Sequence, residues 1–351
     1  MSEHCKVAIV TGAGTGVGLS TSYAPSGTGH FSMRSAWDAQ ATWLMFLNGP
    51  LTESHAHADG LSLLLYKNGW LVNDANMQAH SGINQIQGAH GLVRQTLAGV
   101  DLRMYENPAS KAVTRRFTAK DEYTYVAADQ GTLYNHPSTG NPGVRSEREI
   151  VFIKPNTVVV FDRVHYSAGT TAKIFQLPTQ ALPVINGRVV TVGNGTSTLN
   201  VHALSPATST LSITAMNSVD TDFGSGYRID SSETNNVLTR FLNVLAIDNT
   251  AASVVAGAND STAIVTLDDG RRITLAFDPA NIGGSIEIRD AQDQVVLSEA
   301  LPAGVNAPPL AVATATVRAA KMGNGVGAVT SSTAGIDCGA SCVASYDYNT
   351  T

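Results

Sequence analysis

The ladder-like text of residues 145–162 constrains this chain most. Arg145-Ser146-Glu147-Arg148-Glu149-Ile150-Val151-Phe152-Ile153 is followed by Lys154-Pro155-Asn156 and then by Thr157-Val158-Val159-Val160-Phe161-Asp162. β-Branched and aromatic residues favour a pleated strand, and Pro-Asn sits where a tight turn is needed. The same grammar recurs downstream in short runs: Ala172–Leu177, Arg188–Val192, Thr198–Ala203, Thr210–Ala215, Val237–Ala246, Ser253–Ala258, Ser261–Leu267, Arg272–Phe277 and Gly284–Asp290. Upstream, Phe31–Ser35, Thr42–Leu47, Val113–Phe117 and Tyr123–Ala127 read alike. Strands at this spacing, broken by turn residues, predict an all-β chain built as a large antiparallel sandwich. The one helical possibility is a short stretch at 77–87.

The residues with chemistry cluster in Ser54-His55-Ala56-His57-Ala58-Asp59-Gly60-Leu61-Ser62-Leu63. If this backbone is extended, the two histidines and Asp59 share one face. After Leu64-Leu65-Tyr66 comes Lys67-Asn68-Gly69, then Trp70-Leu71-Val72-Asn73-Asp74. Asn-Gly between apolar runs is a strong hairpin signal, and it would bring His57 and Asp74 together on paired strands. Imidazole and carboxylate on a rigid hairpin suit a metal site; a polar sheet edge without a ligand is the alternative. For Asp59 alone an Asx turn or strand-end cap is the simpler role.

Composition narrows the field. Charged residues make up 14% of the chain, with 22 Lys and Arg against 28 Asp and Glu. The basic face of a nucleic-acid binder is therefore not expected. No run approaches the roughly 18 apolar residues of a membrane span, and residues 1–30 show no charged and apolar signal-peptide pattern. Cys5 stands alone, while Cys338 and Cys342 have a spacing that suits a small disulfide loop, or else remain free thiols. Four segments are expected: a Gly-rich 1–28, the sandwich at 29–301, an apolar, proline-containing linker at 302–312, and a small β unit at 313–351.

Three resemblances follow from these residues. Val7-Ala8-Ile9-Val10-Thr11-Gly12-Ala13-Gly14-Thr15-Gly16-Val17-Gly18 looks like the opening of a short-chain dehydrogenase. Pro25, Gly27 and Gly29 then interrupt the helix that should follow, and that family's Tyr-x-x-x-Lys pair is absent, so no nucleotide is expected. Such a segment reads as foreign to the fold behind it. Val329 to Cys342 resembles a repeat of bacterial surface proteins, cut short at Thr351.

The third resemblance carries function. From about Gly29 to Asp290 the chain resembles the C-terminal β-sandwich of the heparinase II/III-like polysaccharide lyases. It rests on Met33–Trp37, Gly49-Pro50, His55-Ala56-His57-Ala58-Asp59, Gly69-x-Leu71-Val72-x-Asp74, Ala89-His90, and Arg148-x-x-x-Phe152-x-Lys154-Pro155 with Phe161-Asp162. The resemblance implies zinc held by His57, Asp74 and His90, with His55 facing the sugar cleft. There His55 would help neutralise a uronate carboxylate, which acidifies the C5 proton for β-elimination. It further implies an acidic polysaccharide as partner and a secreted or periplasmic location. The family's catalytic tyrosine comes largely from a helical toroid ahead of the sandwich, for which this sequence has no matching residues. The segment after His90 reads Gly-Leu-Val where the family usually has Asn-Thr-Val. Full lyase activity is therefore not assumed, and Tyr105, Tyr134 and His80 are the candidates for the missing group. Two other functions compete. His55-x-His57-x-Asp59 also suggests a metal-dependent hydrolase of a lactone or ester, although Gly60 stands where that motif has a further histidine. The remaining alternative is a non-catalytic glycan-binding module.

Overall fold

The computed structural model describes residues 20–24, 28–49, 51, 57–74, 86–104, 112–134, 144–221, 223–306, 314–318, 328, 330, 335–337 and 343–347. His55, His80, Tyr105 and all three cysteines lie outside them, as does the glycine loop at 11–18. The described residues form strands and short 3₁₀ turns, with no α-helix among them. Of the proposed helix at 77–87 only the end is described, and Gln87–Ala89 is a 3₁₀ turn. The chain divides into Thr21–Ala307 and a second unit made of Met1–Ser20 with Pro308–Thr351. In the second unit Thr314–Arg318 pairs antiparallel with Val343–Asp347.

The first unit is organised on a nine-stranded central sheet. Its order is Val184–Asn186, Val189–Gly193, Thr198–Ser205, Thr239–Ile247, Thr157–Tyr166, Val144–Ile153, Tyr123–Asp129, Val113–Ala119 and Gly304–Asn306. The last strand lies parallel to Val113–Ala119 and falls where the sequence suggested a linker. Thr157–Tyr166 is buried at nine of its ten positions. Thr239–Ile247 is nearly as enclosed. Continuous apolar text without alternation is what a strand covered on both faces requires.

Those covers are three five-stranded sheets. On one face sit the front sheet, from Ser22–Tyr23 through Trp70–Val72, and a side sheet. The side sheet is ordered Thr210–Ala215, Tyr227–Asn235, Thr171–Thr179, Val93–Leu97, Val100–Asp101. Phe31, Phe46, Leu63 and Leu65 of the front sheet and Phe175 and Ile229 of the side sheet share one core with Phe152, Val158 and Val160. The back sheet, Ala251–Ala256 through Val295–Ala300, packs on the opposite face. It buries Val265, Ile273, Leu275 and Ile286 against Val151, Val159, Phe161 and Val244. Its three inner strands alternate, because only one side is covered: Thr262–Leu267 alternates half-buried and buried throughout. The Thr21–Ala307 unit is therefore a β-sandwich three layers deep.

The alternation along 144–166 decides what each layer receives. Arg148, Ile150 and Phe152 face the front, whereas Glu149, Val151 and Ile153 face the back. At the back, Phe161 stacks on Phe277 with ring centroids 4.8 Å apart and planes 14° from parallel. Truncating Phe161, which is fully buried, is expected to cost about 3–5 kcal/mol. Urea unfolding of Phe161→Ala checks this: an unchanged midpoint would mean that the back sheet does not pack on the central one.

Candidate functional site

Two sheets end side by side. In the front sheet, Leu63–Tyr66 and Trp70–Val72 form the hairpin, turning through Asn68 at φ 52° and Gly69 at φ 133°. Both residues take the left-handed or positive-φ conformations that the Asn-Gly pair permits. Leu63 N–H donates to Gly91 O at 3.1 Å, and Asn73 N–H donates to Pro178 O at 3.2 Å. These two bonds tie the front sheet to the side sheet, and three loops meet at the seam: 57–62, 73–74 and 86–92.

The histidine stretch is not a strand where it is described. Residues 57–62 turn, Ser62 N–H donating to Asp59 O at 2.9 Å and Leu61 standing at φ 64°. The expected pairing of His57 with Asp74 on neighbouring strands is therefore replaced by loops at neighbouring strand ends. The turn at Gly60-Leu61 breaks the extended backbone before the hairpin begins.

The three proposed ligands nevertheless come together. His90 is fully buried, and its Nδ1 lies 3.0 Å from Asp74 Oδ1. The His57 ring is 5.3 Å from the His90 ring, centroid to centroid, tilted by 42°. Asp59 joins them: its carboxyl sits within electrostatic reach of His90, Asp74 and His57. Burial raises the Asp59 pKa above the ordinary carboxylate range, and the two histidines only partly offset it. The sequence offers Asp59 a cap as its simpler role and a place in the His-x-His-x-Asp alternation as the other, and the structure sets its carboxyl near the histidines.

The loop carrying His90 is wired throughout. Gln176 Nε2 donates to Gln87 O at 2.5 Å and to His90 O at 2.8 Å. Arg228, held on Asp230 by bonds of 2.6 and 2.9 Å, donates to Gly88 O at 2.8 Å. A side chain at Gly91 would stand 2.7 Å from Leu63 O, so only glycine lets the two sheets approach. Tyr134 is buried, 3% exposed, and donates to Gln87 Oε1 at 3.2 Å. Burial raises its pKa as well. That placement gives the tyrosine a supporting contact behind the His90 loop rather than access to a substrate.

Does this donor set suit a cation? Ligand atoms about 2.0–2.1 Å from a tetrahedral zinc stand about 3.3 Å apart, close to the Asp74–His90 separation. Asp74 Oδ1 is buried and accepts no hydrogen bond, so the close approach is one of distance without a directed N–H. Two imidazoles and a carboxylate are ordinary zinc donors. Among the described residues, no three His, Cys, Asp or Glu side chains are yet drawn onto one point. Holding an ion therefore needs side-chain adjustment at His57 or Asp59.

Neither a family model nor a curated protein matches the sequence. Solved structures do. The chain is similar to a heparan sulfate lyase HepC mutant from Pedobacter heparinus, with a TM-score of 0.56 and 16% identity over 80% of this chain and 42% of that one. It is likewise similar to a heparinase III gene product, with a TM-score of 0.54 and 16% identity, again covering 80% and 42%. The fold is that of these heparinase-like proteins. The chain spans about two fifths of their length.

The raised pKa of Asp59 gives a signed expectation for the cation-free protein. An acid stabilised in its neutral form supports the fold below its unfolded pKa, and loses that support as pH rises through the folded value. Asp59→Asn should therefore unfold at a higher temperature than the unsubstituted protein near pH 7.5 in chelator. The difference should vanish near pH 4. Equal melting temperatures at pH 7.5 would show that the Asp59 carboxylate carries no burial penalty.

Proposed function

We propose that this chain is the β-sandwich part of a polysaccharide lyase, holding a divalent cation, most simply zinc, between His57, Asp74 and His90 to act on or dock to an acidic glycan. The observation that carries this reading is the approach of Asp74 Oδ1 to His90 Nδ1 at 3.0 Å with the His57 ring alongside. The heparinase-like fold supports the polysaccharide as substrate class. By the same likeness the protein works outside the cytoplasm; among the described residues no helix is long and apolar enough to cross a membrane.

A bound cation would supply positive charge beside the glycan carboxylate and lock the three loops together. The chain's own residues supply the rest. His57 and His90 present imidazole nitrogens, Asp74 presents a carboxylate oxygen 3.0 Å from His90 Nδ1, and Gln176 holds the backbone of the His90 loop through the His90 carbonyl. Asp59 gives the cluster a second carboxylate, whose charge a cation would compensate. We assign to His55 the neutralisation of the uronate carboxylate, which makes the C5 proton removable. Tyr105 is the remaining tyrosine we retain for proton transfer, since Tyr134 is enclosed behind the loop.

Metal analysis of the purified protein tests the site. A stoichiometric divalent cation is expected, and His57→Ala and Asp74→Ala should each lose most of it. Unchanged metal content in both variants would sink the proposed ligands. On an acidic glycan, a rise in ultraviolet absorbance from unsaturated uronate is expected, and His55→Ala should abolish it. Lactone ring opening without unsaturated products would instead mark a hydrolase. Glycan binding with neither activity would mark a binding module.

A further inference from the structure

Arg148 is a charged side chain with no solvent at all: its exposure is 0% and that of its partner Asp162 is 2%. The two face each other across the 144–153 and 157–166 ladder. Arg148 Nε donates to Asp162 Oδ1 at 2.6 Å and its Nη2 donates to Oδ2 at 3.1 Å. This fork neutralises the charge, and bidentate pairing fixes the plane of the guanidinium. The remaining nitrogen, Nη1, donates to two backbone carbonyls at once: Leu61 O at 2.7 Å and Gly91 O at 2.7 Å.

Those carbonyls belong to different loops. Leu61 ends the turn that carries His57 and Asp59; Gly91 follows His90 directly. Leu61 stands at φ 64°, a region that a leucine seldom adopts, and its carbonyl is thereby aimed at the guanidinium. Ser62 Oγ accepts from Gly91 N–H at 3.0 Å, so the same two loops are also joined directly. The two hydrogens on Nη1 diverge at a fixed angle in one plane, so the positions of both carbonyls follow from one rigid group. An ammonium on a flexible stem does not impose that geometry.

We propose that Arg148, held by Asp162, is a positioning residue that sets the distance between the His57–Asp59 turn and the His90 loop, and through it the fit of the site for its cation. This rests on the reading of the site as a cation centre, and it assigns a role to a residue that touches none of the ligand atoms. Arg163 is the built-in control. It is equally buried, lies next to Asp162, and pairs with Glu149 at 2.7 Å, yet it faces the back sheet and touches neither loop.

The experiment uses the full chain, zinc alone as probe, and Arg148→Lys, Ser62→Ala and Arg163→Lys. All measurements are made below each variant's melting temperature. Arg148→Lys should weaken zinc binding by about ten- to a hundredfold, the usual effect of losing an outer support of a metal ligand. Ser62→Ala should weaken it in the same direction while leaving Arg148 intact. Arg163→Lys should lower stability yet leave the zinc dissociation constant unchanged. In the zinc-free protein, the imidazole resonances of His57 and His90 should move in Arg148→Lys and stay put in Arg163→Lys. Zinc affinity and imidazole resonances unchanged in both Arg148→Lys and Ser62→Ala would overturn the proposal. If the unsubstituted chain binds no zinc, the cation reading fails. The imidazole resonances then decide this inference by themselves, unmoved signals overturning it.

Discussion

A full charge taken out of water costs several kcal/mol unless a partner and hydrogen bonds replace the solvent. The hairpin of 144–153 and 157–166 buries two arginines and answers the cost differently on each face. Toward the front, Arg148 forks onto Asp162 and reaches two loop carbonyls. Toward the back, Arg163 meets Glu149, which also accepts from Gly283 N–H, while Arg163 donates to Asp278 O at 3.0 Å. One strand pair thus fastens both outer layers of the Thr21–Ala307 unit through alternate residues. Hydrophobic burial holds the layers together without direction; these charged contacts fix which loop goes where.

The back-face fastening is extensive. Arg116 donates to Leu301 O at 2.9 Å and to Ile282 O at 2.7 Å, and Arg240 donates to Pro279 O at 2.7 Å. A loop of the back sheet is held by its carbonyls to arginines of the central sheet. The same device, arginine to backbone carbonyl, recurs at Gly88 through Arg228 on the front. Carbonyl oxygens accept such bonds whatever side chain the loop carries. The scaffold can therefore keep its geometry while the loop side chains serve chemistry.

The site lies at a seam between sheets rather than on one sheet. A hairpin alone would leave His57 and Asp74 at strand ends, with His90 supplied from elsewhere in the chain. Closing the seam takes the Leu63–Gly91 and Asn73–Pro178 bonds together with the glycine at 91. The likeness to heparinase III and heparan sulfate lyase structures covers 80% of the chain at 16% identity. At that identity it is the layering of sheets that is shared.

The sequence by itself determined that the chain is all-β, where most strands run, and which turn joins the two long central strands. It also singled out His57, Asp74 and His90, through motif and resemblance, as residues that belong together. Strand content is legible because periodicity and turn chemistry are local properties of the text. Strands such as Tyr227–Asn235 and Val295–Ala300 escaped, because polar residues interrupt their apolar runs. Only the tertiary structure decided that the sandwich has three layers and that 57–62 turns instead of extending. It alone put Arg148 beneath two loops some thirty residues apart. Those outcomes depend on which surfaces meet and which buried charges find partners, and a pairing between distant segments leaves no periodic trace in either of them.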